Sequence, residues 1–213
     1  MSDELWPIIG VDESGKGDFF GPLVIAGVLI EEWDVLALED IGVRDSKKIT
    51  DKKILSLAAV IREKYVCNTV VIMPEKYNQL YLKIRNLNKL LGWGHAKVIE
   101  NILTEKPAPA AISDKFGKDH FITDNLQEKG KQIDLIQKVR GEAHPAVAAA
   151  SVLARAEFIN RMDGLSRQYG ISFHKGASAA VDAVGRDFVR INGEGMLNKV
   201  AKLHFKNYQK IMA

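Results

Sequence analysis

Apolar residues along the chain follow two rhythms. Ile8, Ile9 and Val11 form a short β-type run that stops at Asp12, and a continuous apolar stretch over residues 23–30 follows across a glycine-bearing connection, so two strands of one sheet are predicted. Residues 65–73, rich in valine and ended by Pro74, and residues 133–139 predict further strands, while residues 110–113 make a short apolar run that stops at Asp114. The second rhythm is helical. Thr50 ahead of Asp51, Lys52 and Lys53 is an N-cap signal, and Ile54, Leu55, Leu57, Ala58 and Ile61 recur at helical spacing up to about Lys64. Helices are also predicted over 75–105, with Gly92 and Gly94 marking a bend or a close contact, over 146–167 and 177–191, and more weakly from Met196. Strands and helices are interleaved, without repeat, low-complexity tract or long linker. The expected fold class is therefore α/β, one domain over residues 1–213 with a helical C-terminal appendage from about residue 177.

Composition narrows the function classes. With 46% hydrophobic residues in 213, the chain can fill a core and is not disordered as a whole. Its longest apolar runs, such as 22–30 and 143–153, fall short of the roughly 20 residues of a membrane helix. The acidic opening, Met1 to Trp6, does not read as a secretory signal. Cys67 is the only cysteine, which excludes an intramolecular disulfide and a multi-cysteine zinc site and makes a reducing cytoplasm the expected location. The net charge of +3 is uneven. Residues 138–213 carry 12 Lys and Arg against 6 Asp and Glu, and the remainder of the chain is net negative. A polyanionic partner fits this gradient, and so does a solvated surface.

The segment Gly10-Val11-Asp12-Glu13-Ser14-Gly15-Lys16-Gly17 fits the phosphate-binding loop of nucleotide hydrolases until its last position, where Gly17 replaces the Ser or Thr that holds magnesium. That loop must also open a helix, whereas Asp18-Phe19-Phe20-Gly21-Pro22 leads into another β-type run, so a nucleotide hydrolase is disfavoured. Asp12 and Glu13 sit where an apolar strand ends. Adjacent carboxylates are costly unless a divalent cation neutralises them, and oxygen ligands suit Mg²⁺ or Mn²⁺. Gly15 and Gly17 allow backbone to approach a phosphate or sugar, and Lys16 supplies a cation. A plain polar turn between two strands would carry the same residues, and on composition alone both readings stand.

Residues 12–22, Asp-Glu-Ser-Gly-Lys-Gly-Asp-Phe-Phe-Gly-Pro, closely resemble the opening motif of the type 2 ribonucleases H, and the Gly-Lys-Gly form resembles the ribonuclease HIII branch. Val43-Arg44-Asp45-Ser46-Lys47-Lys48-Ile49-Thr50 is similar to the family's Asp-Ser-Lys-Lys segment. Residues 86–97, with Gly92-Trp93-Gly94-His95, look like a helix particular to ribonuclease HIII, and residues 146–155 are similar to the family's alanine-rich helix. Together with Lys175-Gly176-Ala177-Ser178, these motifs occur in family order over nearly the whole chain.

The resemblance implies a ribonuclease H-like fold, a mixed central sheet flanked by helices, and endonucleolytic cutting of the RNA strand of RNA/DNA hybrids. It implies four metal-binding catalytic acids. Two match Asp12 and Glu13; Asp114, after the run 110–113, is the match for the third in preference to Asp124; Glu142, ahead of the alanine-rich helix, matches the fourth. They would hold two ions, Mg²⁺ or Mn²⁺. One activates water against the scissile phosphorus and the other stabilises the leaving 3′ oxygen, giving 5′-phosphate and 3′-hydroxyl ends. Gly15, Lys16 and Gly17 are assigned to the 2′-hydroxyl, with Ser14 beside them as a substrate-binding residue, Ser46 and Lys47 to a backbone phosphate, and Lys175 to the same basic face. The expected partner is hybrid nucleic acid, the expected state a monomer without membrane attachment. Ser172-Phe173-His174-Lys175 lacks the tyrosine by which ribonuclease HII recognises an RNA-to-DNA junction, so efficient incision at single ribonucleotides is not expected. Ribonuclease HIII usually carries an N-terminal substrate-binding domain. In this sequence the first motif opens about ten residues in, which points to a trimmed or short form, or to affinity drawn from the basic C-terminal part. A ribonuclease HII-type enzyme and a non-catalytic hybrid-binding protein are the alternatives. His95 and Trp93 read as packing or capping groups, Glu157 as a surface helix residue, and Phe19 and Phe20 as packing beneath the loop.

Overall fold

The continuous apolar runs become the central strands of one sheet. In the computed structural model, whose described residues are 5–43 and 49–213, β1 (Ile8–Ser14), β2 (Leu23–Ile30), β3 (Cys67–Ile72), β4 (Ala110–Asp114) and β5 (Asp134–Lys138) lie in the order β3-β2-β1-β4-β5. All of β2 is buried, as are the first four residues of β1 and of β4, whereas the edge strands β3 and β5 are only partly covered. An unbroken apolar run suits a strand covered on both faces. Each fully buried Val, Leu or Ile contributes about 1.5–3 kcal/mol, and Ile8, Ile9, Val11, Ile25 and Ile112 are wholly shut off from solvent. The sheet is mixed and flanked by helices, the predicted fold class.

Helix α2 (Asp51–Lys64) starts where the Thr50 hydroxyl accepts from the Lys53 amide at 3.4 Å. The helical stretch predicted over 75–105 is two helices, α3 (Pro74–Ile84) and α4 (Leu87–Glu105). The break falls at Arg85, in the left-handed region with φ +50°, rather than at Gly92 or Gly94. Those glycines mark close contact instead: a Cβ would stand 2.0 Å from the Phe121 carbonyl oxygen at Gly92 and 2.7 Å from the Ile25 side chain at Gly94. Helix α1 (Asp34–Asp40) gives no periodic signal, because Trp33 and Leu36 are exposed and Leu38 alone is buried. Residues 121–123 belong to α5 (His120–Thr123), with Asp124 as its C-cap, so Asp124 does not end a strand. The alanine-rich helix is α6 (Pro145–Tyr169). It is followed by α7 (Ala179–Asn192), α8 (Leu197–Val200) and α9 (Lys206–Met212).

The chain forms two compact units. One comprises the described residues of Met1–Glu13, Ile25–Val70 and Leu87–Ala156; the other comprises Ser14–Val24, Val71–Asn86 and Glu157–Ala213. Among the described residues no helix is long and apolar enough to cross a membrane.

Candidate active site

Strand register brings two of the acids together. β1 and β4 run parallel with Val11 opposite Ser113, so the next residues, Asp12 and Asp114, stand at the same end of adjacent strands. β1 does not stop at Asp12 but continues through Glu13 to Ser14, which fixes both carboxylates on strand backbone. Close packing of the backbone completes the placement. A Cβ on Gly10 would lie 2.1 Å from the Ala146 backbone, so β1 rests directly on the start of α6, and one on Gly141 would lie 2.7 Å from the Asp114 Cα. The short 3₁₀ turn Gly141–Ala143 carries Glu142, and its Gly141 amide donates to Asp114 Oδ1 at 2.8 Å. Arg140, just before it, is held with φ +59°. Glu142 lines a cleft of about 460 Å³ with Glu39, Val43, Arg140, Ala143, Pro145 and Ala148.

Asp12 is the electrostatic centre. Burial above all, then the Glu13 charge, pushes its carboxyl from 3.8 up to about 7; hydrogen bonds from Ser151 and the Glu13 amide pull the other way, and the Asp114 charge adds to the rise. Two neighbouring carboxylates thus act on Asp12. Among the described residues no three His, Cys, Asp or Glu side chains are drawn together as a metal ion's ligand set. The donor chemistry nevertheless suits a hard divalent cation: the acids are oxygen donors, and their mutual repulsion is what such an ion relieves.

Glu13 has a partner that sequence reasoning set aside. His95, wholly buried in α4, places Nε2 3.0 Å from Glu13 Oε2 and Nδ1 3.1 Å from the Ser113 hydroxyl, which in turn donates to the Asp114 carbonyl oxygen at 2.9 Å. A line of contacts therefore runs from one acid through His95 and Ser113 to the residue bearing another. Phe116 packs its ring 4.8 Å from the imidazole. The available signal was the pair of glycines flanking Trp93, which lets α4 come close enough to bury an imidazole. Ser151, the other missed group, lay hidden in the alanine-rich run.

The predicted substrate-binding residues fall in the second unit, apart from two. Ser14 closes β1, and Gly15 adopts φ +85° with its Cα pressed on the Pro22 carbonyl, where a Cβ would stand at 2.1 Å. Lys16 is half-buried, and Gly17 is exposed with open space around it. The turn is tied to the Lys175 loop: Asp18 Oδ1 accepts from the Gly176 amide at 2.6 Å and the Phe19 amide donates to the Gly176 carbonyl at 2.9 Å. Lys175 itself is exposed. Phe19 and Phe20 are fully buried beneath the turn, and Phe20 packs 4.7 Å from Phe173. Ser46 and Lys47 lie outside the described residues. Glu157, partly buried on α6, pairs with Arg161 one turn on.

Comparison with known proteins gives the family. Residues 9–208 match the family model described as Ribonuclease HII. Ribonuclease HIII of Chlamydia pneumoniae is 46% identical over 99% of this chain and 72% of its own, and that of Protochlamydia amoebophila 42% identical over 98% and 69%. Among solved structures, Bst-RNase HIII in complex with Mn²⁺ superposes with a TM-score of 0.89 at 32% identity, covering 96% of this chain and 68% of that one. RNase H3 of Aquifex aeolicus gives 0.77 at 30% identity over 94% and 72%. Sequence motifs, strand-end acids and these likenesses converge: the chain belongs to the type 2 ribonuclease H family and is similar within it to ribonuclease HIII.

Proposed function

We propose that the chain cuts the RNA strand of RNA/DNA hybrids by hydrolysis at Asp12, Glu13, Asp114 and Glu142, leaving 5′-phosphate and 3′-hydroxyl ends. The observation that carries this reading is the Asp12 carboxyl, pushed up to about 7 by burial and by Glu13 and Asp114 at the carboxyl ends of two parallel strands. Binding alone would not require repelling acids there, so a non-catalytic hybrid-binding role is disfavoured. Two divalent ions, Mg²⁺ or Mn²⁺, would supply activation of the attacking water and stabilisation of the leaving oxygen. The residues' own tasks follow from their contacts. His95 orients Glu13, the Gly141 amide fixes the plane of the Asp114 carboxylate, and Ser151 holds Asp12. Ser14 to Gly17 meet the 2′-hydroxyl, with Ser46, Lys47 and Lys175 on phosphates. All four acids come from one chain, which supports a monomer, and the lone Cys67 supports a cytoplasmic setting.

The test is incubation with a labelled RNA/DNA hybrid, a DNA duplex holding one ribonucleotide, and ATP, each with Mg²⁺, Mn²⁺ or chelator. Cutting of the hybrid only with metal is expected, with little at the lone ribonucleotide. An intact hybrid under every metal condition would sink the reading, and phosphate release from ATP would revive the nucleotide hydrolase.

A further inference from the structure

The basic C-terminal segment contains one cation that never reaches the surface. Lys202, between α8 and α9, is wholly buried. A lysine is almost never shut away without compensation, because an unpaired interior charge costs several kcal/mol or gives up its proton. Burial indeed pushes the ammonium down to about 7, with Asp18 pulling the other way. What the ammonium meets is a set of three successive carbonyl oxygens, those of Phe20, Gly21 and Pro22, at 3.3, 2.6 and 3.4 Å. An ammonium has three donors and no acceptor, so the match is complete.

Carbonyl oxygens converging on one point repel one another, and a turn that gathers them needs a cation at the focus. Backbone geometry shows how the turn reaches this shape. Gly21 has φ +79° and no room for a Cβ, which would strike the Met162 sulfur at 2.3 Å. On either side the chain is pinned: the Gly21 amide donates to the Val200 carbonyl and the Lys202 amide to the Phe19 carbonyl, both at 2.8 Å, and Phe20 faces Ala201 across an antiparallel bridge. The Pro22 carbonyl that Lys202 holds is the same one on which Gly15 rests. One residue therefore separates the buried ammonium from the Gly15-Lys16-Gly17 turn.

We propose that Lys202 is a positioning residue for substrate choice: by gathering the carbonyls of residues 20–22 it fixes the Gly15-Lys16-Gly17 turn in the shape that distinguishes an RNA/DNA hybrid from a DNA duplex. The inference rests on the hybrid-cutting reading above and names a residue outside the turn that sets its specificity. A merely structural lysine would be replaceable by an apolar side chain of similar length without change in preference.

The experiment compares wild type, K202M, K202R and K206M, the last removing a nearby exposed charge as a control. Affinity for a hybrid and for a DNA duplex of the same sequence is read by fluorescence anisotropy in chelator, and kcat and KM on the hybrid with Mn²⁺. For K202M, hybrid affinity is expected to fall about tenfold with DNA affinity unchanged, and KM to rise about tenfold with kcat within about threefold, the pattern of lost binding rather than lost chemistry. K206M keeps the hybrid-to-DNA ratio. If K202M does not fold, K202R, which keeps charge but not the ammonium's shape, is read instead and its ratio is expected to fall about threefold. A ratio that stays at the wild-type value in the folded variant, an equal loss on both duplexes, or a change in kcat alone overturns the proposal. A wild type with no preference for the hybrid overturns the hybrid reading and this inference together, whereas a preference that the variant retains overturns this inference alone.

Discussion

At the ends of β1 and β4, carboxylates meet with no buried lysine or arginine among the described residues to answer them; in residues 20–22, carbonyl oxygens gather around a buried ammonium. The first arrangement is held by sheet register and stays electrostatically strained; the second is held by its own internal cation and is satisfied before any ligand arrives. On the proposed function, chemistry falls to the acids and recognition to the turn. The two should separate experimentally, rate with the first and affinity with the second.

The largest separation is expected at the acids. Asp12→Asn or Asp114→Asn should lower single-turnover cleavage of a hybrid by about a thousandfold, equivalent to about 4 kcal/mol, while anisotropy reports hybrid affinity within about twofold of wild type. Affinity falling in step with rate would erase the division between the two regions.

Next comes His95. Groups that orient metal ligands typically carry about 10–100-fold in metal affinity or activity, and His95→Ala should show a loss in that range, in cleavage and in Mn²⁺ affinity measured by calorimetry. His95→Gln, which can still donate to Glu13, should recover part of both. Full activity in His95→Ala would mean that the Glu13 contact at 3.0 Å is packing alone.

How much of this was legible in the sequence depends on distance along the chain. Asp12 and Asp114 each end an apolar run, but only the family resemblance turns Asp12 and Glu13 from a polar turn into candidate acids and prefers Asp114 to Asp124; the inner strands could be read because a strand buried on both faces has no polar interruption. The partners could not. Glu13 and His95 are 82 residues apart, and Lys202 reaches carbonyls 180 to 182 residues away. Such pairings are fixed by topology, and nothing in a histidine's or lysine's neighbours along the chain encodes them. The basic tail fits a polyanion or a solvated surface equally, and both readings place its cations outside, yet Lys202 is buried. Of the bend and the close contact that Gly92 and Gly94 allow, the close contact is the one realised, and the break falls at Arg85, which carries no glycine to mark it.

A third effect is the pH dependence that Asp12 contributes. A carboxyl raised from 3.8 to about 7 contributes stability that is fully present below 3.8 and is lost as pH rises through 7, since the unfolded chain gives up its proton first. Lys202 and His204, whose basic groups burial pushes down to about 7 and about 4, contribute the opposite slope, so the Asp12 share is read as the difference between wild type and Asp12→Asn. Without divalent metal, the melting temperature of the wild type should fall relative to that of Asp12→Asn by roughly 5 °C between pH 5 and pH 8. Saturating Mn²⁺ should remove this relative fall. A relative rise over the same range without metal would contradict the placement of Asp12 among like charges.

The smallest expected effect sharpens the comparison from the other side. Gly15 and Gly17 flank Lys16, but only Gly15 has positive φ, with the Pro22 carbonyl 2.1 Å from the place of a Cβ, while Gly17 faces open space. Gly15→Ala should therefore destabilise the fold by about 2 kcal/mol or more through strain and overlap. Gly17→Ala should leave stability within about 0.5 kcal/mol, so any effect it has must come through the ligand. A few-fold loss of hybrid affinity in a normally stable Gly17→Ala protein, with DNA affinity intact, is the expected result, because a methyl group would occupy the space through which the sugar approaches. Unchanged affinity would place the 2′-hydroxyl contact at Gly15 or Lys16 instead and leave Gly17 as a solvent-facing link in the turn.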